Sequence, residues 1–156
     1  LRIRILCVGK LKDGPERVLV DDYLARARKT GQPLGYRAVD EVEVEAGGGR
    51  DREGARLLTK HEAASPGGVL IRLDERGEVW PSIDLSKRLA KWRDAGETID
   101  FAIGGADGHA PDVAAKARAT LGFGAQTWPH RLVRVMLAEQ IYRALSIEAG
   151  TPYHRE

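Results

Sequence analysis

The chain has a single cysteine among its 156 residues, and that scarcity excludes an internal disulfide. Cys7 sits in the apolar run Ile5-Leu6-Cys7-Val8, where a small buried side chain is the simplest reading. Long apolar runs are missing as well. Nothing approaches the roughly 18 consecutive apolar residues of a membrane span. The first strand also starts at once, without a signal-peptide n-region or cleavage site. A soluble, cytoplasmic chain with no membrane partner is expected. Zinc has little support, because His61, His109, His130 and His154 show no i, i+4 pairing and no cysteine cluster. There is no P-loop. Gly104-Gly105-Ala106-Asp107-Gly108 departs from the G-x-G-x-x-G spacing, and no acid follows at the end of a next strand to hold a ribose, which argues against a nicotinamide dinucleotide. Ser82 and Ser86 lack the G-x-S-x-G elbow of a hydrolase nucleophile. Internal repeats and low-complexity segments are also absent, and only Ala46-Gly47-Gly48-Gly49-Arg50 reads as a flexible loop.

What is present is regular. A chain of this length is one ordinary domain, able to bury roughly 70 % of the surface its unfolded form exposes. Leu1 to Val8 alternates and then runs apolar, as a strand does, and Pro15 to Lys29 has helical spacing and ends at Gly31. Tyr36 to Val44 reads as a strand and Asp51 to Ala64 as a charged helix. Val69 to Leu73 reads as a strand, Ser82 to Ala95 as an amphipathic helix, and Ile99 to Ile103 as a strand. Pro111 to Thr120 is predicted as a short Ala-rich helix and Ala125 to Trp128 as a brief extended piece. Strands alternating with helices predict an α/β fold, a parallel-sheet sandwich of about five strands with helices on both faces. Ligands of such folds bind outside the carboxyl ends of the strands. That rule selects three turns: Leu73 to Gly77, Ile103 to Gly108 and Phe123 to Pro129.

Charge is uneven. Residues 1–37 hold nine Lys/Arg against four Asp/Glu, and Asp40, Glu41, Glu43 and Glu45 follow as an acidic patch. A basic amino-terminal third suits a phosphate-rich partner, although such a stretch is more often a solvated face.

The carboxy-terminal stretch is the most specific. Pro129 and Gly150-Thr151-Pro152 bound one long helix. Within it Glu139 and Arg143 share a face as an i, i+4 pair, with Arg134 and Glu148 roughly opposite. Two apolar stripes lie between, one of Leu132, Val135 and Met136, the other of Val133, Leu137, Ile141, Ala144 and Leu145. A surface helix needs only one, so this helix lies either within a larger core or at a subunit interface, and the short chain favours the interface. Beyond it come Tyr153, His154, Arg155 and Glu156, an unusual set to leave in solvent.

The combination of Leu73-Asp74, Ile103-Gly104-Gly105-x-x-Gly108, Thr127-x-Pro129-His130-x-Leu132-x-Arg134, Glu139-Gln140-x-Tyr142-Arg143-Ala144 and Pro152-Tyr153-His154-Arg155-Glu156 closely resembles the ribosomal RNA large subunit methyltransferase H family. That family belongs to the SPOUT class, and the resemblance covers essentially the whole chain. It implies an S-adenosyl-L-methionine-dependent enzyme that methylates N3 of a pseudouridine in a 23S rRNA stem-loop, helix 69, of the assembled ribosome. It also implies a homodimer, a carboxy-terminal trefoil knot, an exception to the rule that chains do not thread themselves, and no DNA partner. By position, Leu73, Gly105 and the run Phe123, Gly124, Ala125, Gln126, Thr127 and Trp128 would hold the cofactor. The chain departs from the family at Gly47-Gly48-Gly49, where more lysine is expected, and at Gly124, often serine.

The chemistry asks the protein to align donor and acceptor and to manage the N3 proton. His154 is the natural base, unless the intrinsic acidity of the pseudouridine N3 makes a protein base unnecessary and the tail only positions the nucleotide; Arg143 and Arg155 can stabilise charge on the flanking carbonyl oxygens, and Tyr153 can stack on the base. Arg143 has a plainer reading as the salt-bridge partner of Glu139, and the tail one as a docked terminus. Two other functions remain open at this point: a SPOUT methyltransferase of another RNA such as a tRNA, and a non-enzymatic ribosome-binding dimer.

Overall fold

A computed structural model describes residues 1–64 and 66–155; Glu156, the last residue of the tail motif, lies outside the described residues. Strands β1 (Arg2–Val8), β2 (Ala38–Val44), β3 (Val69–Glu78), β4 (Ile99–Ile103) and β5 (Ala119–Leu121) form a sheet in the order β2-β1-β4-β3-β5. Every neighbouring pair is parallel, as alternating strands and helices predict. The helices are α1 (Pro15–Gly31), α2 (Arg50–Ala64), α3 (Ser82–Asp94), α4 (Pro111–Lys116) and α5 (His130–Ala149).

The period-two alternation of β1 assigns the two faces. Ile3, Ile5 and Cys7 enter the larger core, where Leu24 of α1, Leu89 of α3 and Leu137 and Ile141 of α5 meet them. Leu6 enters a smaller core with Leu57 of α2 and Val113 of α4. Arg4 shares the face of Leu6 and is also buried, which its charge would forbid without a partner. That partner is its register neighbour on β4, Asp100, whose two carboxylate oxygens accept from Arg4 Nε at 2.8 Å and Nη2 at 2.7 Å. His61 Nδ1 lies 2.7 Å from the same carboxylate. Burial pushes the Cys7 thiol up to about 12, so it stays protonated and inert.

Helix α5 separates its two stripes. Leu137, Ile141, Ala144 and Leu145 are fully buried in the chain's own core, whereas Leu132 is 38 % exposed and Val135 and Met136 are only partly covered. Gly150 ends the helix with φ 71°, a left-handed cap whose amide donates to Ile147 O. None of the described helices is long and apolar enough to cross a membrane.

The uneven charge of the sequence is largely consumed inside the molecule. Glu41 and Glu43 both accept from Arg134 Nη1, at 2.8 and 2.6 Å, and Glu41 also pairs with Arg17. Arg28 reaches Asp40 at 3.7 Å. Much of the acidic patch is therefore the counterpart of the basic segment, as the solvated-face reading allows.

Two elements differ from expectation. The Ala-rich helix predicted over 111–120 stops at Lys116, and residues 119–121 form the edge strand β5. Tertiary pairing overrides alanine's helix preference here: Arg118 N donates to Leu70 O at 2.7 Å and draws the chain onto β3. The extended piece predicted at Ala125 to Trp128 is instead a loop, closed by Trp128 Nε1 donating to Phe123 O at 3.3 Å.

β3 also runs past Leu73, with an irregularity over 74–77 after which Glu78 returns to pair with Leu121. At this crossing two backbones touch. A Cβ on Gly77 would lie 2.6 Å from Leu121 C and 2.7 Å from Gly122 N, and one on Gly122 would lie 2.8 Å from Asp74 O. Only glycine fits at either position. Gly122→Ala should therefore destabilise the protein by about 3 kcal/mol, the upper range for overpacking. Gly96→Ala, at φ 74° with open space around it, should cost only about 1 kcal/mol of left-handed strain. Urea unfolding of both variants measures the difference; equal losses would refute the crossing.

Candidate active site

The order β4-β3-β5 sets three carboxyl ends side by side, and the turns that leave them enclose a cavity of about 450 Å3. That volume lies in the roughly 300–1,000 Å3 range of small-molecule sites. Leu73, Ile103, Leu121 and Phe123 give it an apolar wall, and Gln126, Thr127 and Trp128 line it from the last turn. The turns brace one another: Thr127 Oγ1 donates to Glu75 Oε2 at 2.6 Å.

The cofactor residues expected from sequence divide here. Leu73, Phe123, Gln126, Thr127 and Trp128 line the cavity; Gly105, Gly124 and Ala125 do not. Gly105 is turned toward α2, where a Cβ would meet Glu53 Oε1 at 2.8 Å and Val8 Cγ1 at 3.1 Å. Its neighbour Gly104 lines the cavity instead, and a Cβ there would meet Gly108 O at 2.9 Å. Gly124 serves the turn, with φ 104°.

His109 also lines the cavity, although its sequence context offered only the absence of a metal pattern. Its Nε2 lies 3.1 Å from Leu73 O. A carbonyl can only accept, so the ring proton sits on Nε2 and the imidazole clamps the end of β3 to the turn after β4. Burial, helped by the charge of Arg72, holds His109 below its ordinary value.

The tail residues gather elsewhere. Arg143 Nε donates to Glu139 Oε1 at 2.7 Å, so the helix salt bridge exists, but the guanidinium does more. Its Nη1 donates to His154 Nδ1 at 3.2 Å, and its central carbon lies 4.8 Å from the centre of the Tyr153 ring. Tyr153 packs on Tyr142 at 4.5 Å between centroids, and Tyr142 on Tyr23 of α1 at 6.4 Å. Burial, then the charge of Glu139, holds the Tyr153 phenol above its ordinary value. Arg155 is exposed. None of the four lines the cavity. An apolar groove of about 500 Å3, containing Leu19, Tyr23, Trp80 and Met136, shares Leu121 to Phe123 with it.

Comparison with known proteins agrees with this topology. Residues 1–154 match the family model described as "Predicted SPOUT methyltransferase". The chain belongs to the SPOUT methyltransferase family. Curated relatives include Ribosomal RNA large subunit methyltransferase H of Hyphomonas neptunium, 56 % identical over 99 % of both chains. The protein of the same name from Cereibacter sphaeroides is 53 % identical, again over 99 % of both. Among solved structures, a probable methylase family protein from Haemophilus influenzae shares the fold at TM-score 0.54 and 12 % identity, covering 99 % of this chain and 70 % of that one.

In this SPOUT methyltransferase the lowered His109 value carries a sign. A folded state that keeps the imidazole neutral binds fewer protons than the unfolded chain once the pH falls below about 6.5. The contribution of neutral His109 is therefore complete above that pH and is lost as the pH falls through the folded value. Urea unfolding between about pH 7.5 and 5 should show an acid-side loss of stability that shrinks in His109→Gln, which retains a side-chain donor for Leu73 O. An identical loss in the variant would assign it to other groups.

Proposed function

We propose that this chain transfers the methyl group of S-adenosyl-L-methionine to N3 of a pseudouridine in the helix 69 stem-loop of 23S rRNA. It acts on the assembled ribosome, as a cytoplasmic homodimer. The observation that carries this reading is the cavity at the ends of β3, β4 and β5, in a chain aligned along its whole length with curated rRNA large subunit methyltransferases. The resemblance of the motifs supplies the nucleotide and the stem-loop.

The residues present fit the cofactor. The volume is adequate, and the wall of Leu73, Leu121 and Phe123 suits an adenosine. When bound, the group supplies a sulfonium methyl that is already a strong electrophile. The chain's own task is to hold the acceptor nitrogen in line and to accommodate the charge on the base.

The tail geometry supports a particular part for His154. An arginine has only N–H groups to offer, so Nδ1 of His154 accepts from Arg143 and the neutral ring carries its proton on Nε2. The free edge is a donor, suited to a pyrimidine carbonyl oxygen as negative charge develops there. Arg143 and Arg155 reinforce the same charge, and Tyr153 offers a face for stacking. The N3 proton leaves to solvent in this mechanism, in place of the general-base role expected of His154 from sequence.

Homodimer formation is supported by the uncovered stripe of α5, Leu132, Val135 and Met136, and by Leu19 and Val79, which share a groove with Val135 and Met136 and are exposed by 42 and 68 %. The tail also lies apart from the cavity within one chain, and a second copy on this face would bring donor and acceptor sites together. The carboxy-terminal knot belongs to the same reading. It is supported by β5 lying outside β3, with Gly122 pressed against the 74–77 segment.

The experiment that tests the function is methyl transfer from labelled cofactor to whole ribosomes, free subunits, naked rRNA and tRNA, followed by mapping of the product. Label at any position other than that pseudouridine, or in tRNA alone, would overturn it. Sedimentation at micromolar concentration should return twice the 17.1 kDa chain mass. Met136→Glu should reduce this to one, because an unpaired charge buried at the interface costs several kcal/mol. Removing residues 153–156 should leave the dimer and cofactor binding intact while transfer collapses. His154→Ala should slow single turnover by about 10²-fold, the usual cost of losing one donor to a developing oxyanion. The shape of its pH profile should be unchanged; loss of a histidine-like pKa in the variant would restore the base.

A further inference from the structure

The cavity lining is both apolar and charged, and its charged members include residues that the family motifs do not account for. Asp74 accepts from Arg76 N at 2.8 Å and from Arg72 Nη1 at 3.4 Å, and Glu75 accepts from Thr127. Those two acids are committed to holding their own turn, and Arg76 stands beside both. Arg50 and Asp107 also line the cavity, yet neither makes a side-chain hydrogen bond or ion pair among the described residues.

Arg50 arrives there by a specific route. Gly47, Gly48 and Gly49 all have left-handed φ, 114, 83 and 87°, which turns the chain back into α2. Glu53, one turn on, accepts from Gly47 N at 2.9 Å and sits against Gly105. The first turn of α2 is thereby held to the Gly104–Gly108 turn that carries Asp107. Both side chains are exposed, and a free guanidinium and a free carboxylate in the lining of one cavity form a complementary pair for a zwitterion.

We propose that Arg50 binds the carboxylate, and Asp107 the ammonium, of the amino-acid end of the methyl donor. This rests on the reading that the cavity holds S-adenosyl-L-methionine. The apolar wall of Leu73, Leu121 and Phe123 would hold the adenosine. A guanidinium presents two parallel N–H groups to a carboxylate, which a lysine cannot reproduce. Arg76 is the poorer candidate, because Asp74 and Glu75 would repel a carboxylate beside it.

Two probes separate the ends of the ligand. S-Adenosylhomocysteine carries the amino-acid end; 5′-methylthioadenosine keeps the adenosine and thioether without it. By calorimetry, Arg50→Ala should weaken S-adenosylhomocysteine by about tenfold or more, a charge-assisted hydrogen bond's worth. It should leave methylthioadenosine within about twofold, and Arg50→Lys should recover only part of the loss. Asp107→Asn should discriminate in the same direction. Equal weakening of both probes, with or without a lowered melting temperature, would mean a structural role and overturn the proposal. So would unchanged binding of both, including the case where only the KM for ribosomes rises, which would place Arg50 on RNA. Occupation of the cavity is read independently, as a fluorescence change on adding either probe that disappears in Trp128→Phe. If the probes bind without that change, the cavity reading fails and the proposal falls with it. If the change is present and Arg50→Ala does not discriminate, the Arg50 assignment alone fails.

Discussion

Two stretches of main chain pass each other at Gly77 and Gly122 closely enough that neither tolerates a β-carbon, and much of the upper half of the molecule follows from that contact. It holds β5 against the outer edge of β3, and Gly122 N donates to Glu78 O at 2.8 Å to close the irregular turn over 74–77. The chain leaving Gly122 has no course except across the top of β3, and residues 123–128 become the lid of the cavity. A close backbone crossing of this kind gains little by itself. Its value is that it removes alternatives, since a parallel sheet buried on both faces must satisfy its polar groups within itself.

The far end of that lid is fixed electrostatically. Arg134, in the second turn of α5, is buried to 6 % exposure and reaches Glu41, Glu43 and Gly9 O at the carboxyl ends of β2 and β1. Burying a guanidinium is costly, and such clusters are worth having mainly when their geometry is well satisfied. Here the cluster determines where α5 begins, and therefore where Trp128 and His130 sit at the cavity mouth. Glu43 also accepts from Leu11 N at 2.6 Å, which ties the loop after β1 into the same network. Removing Arg134 would leave Glu41 and Glu43 with Arg17 as their remaining partner, and the 123–128 loop would lose its anchor before the core lost any apolar contact.

Periodicity made the parallel α/β frame legible, because each strand and helix carries its own apolar repeat and the turns between them contain glycine or proline. The tail was legible for a different reason, as an unusual polar set after a clearly bounded helix. β5 was not legible: Ala114 to Ala119 has strong helical preference, and only the bond from Arg118 N to Leu70 O shows why the chain extends there. Local propensity carries no information about a partner forty-eight residues back. The same limit explains Gly104 and Gly105. Adjacent glycines look alike in sequence, and only the fold shows that Gly105 packs on Glu53 of α2 while Gly104 packs on Gly108 within the turn that lines the cavity. His109 and Arg50 escaped for want of a motif, since each gains its meaning from a neighbour on another strand or turn.

On the proposed reading, this arrangement separates the two demands of methyl transfer. Holding the donor needs a rigid apolar slot with bare backbone and a polar end, and the strand-end turns provide it. Meeting the acceptor needs charged and aromatic groups that tolerate a bulky RNA, and those stand on α5 and the tail, where Arg143 organises Glu139, Tyr153 and His154 at once. Because Arg143 occupies Nδ1 of His154, the imidazole's other nitrogen donates, and the tail presents a hydrogen-bond donor to the base while Glu139 offsets part of the charge of Arg143. A donor placed at the base carbonyl favours a pyrimidine anion over its neutral form, lowering the cost of losing the N3 proton to solvent. The same field would work against a nucleophile that must first carry positive charge, such as an exocyclic amine attacking the methyl directly. Arg143 therefore bears on which kind of nitrogen can be methylated, independently of the residues that read the RNA sequence.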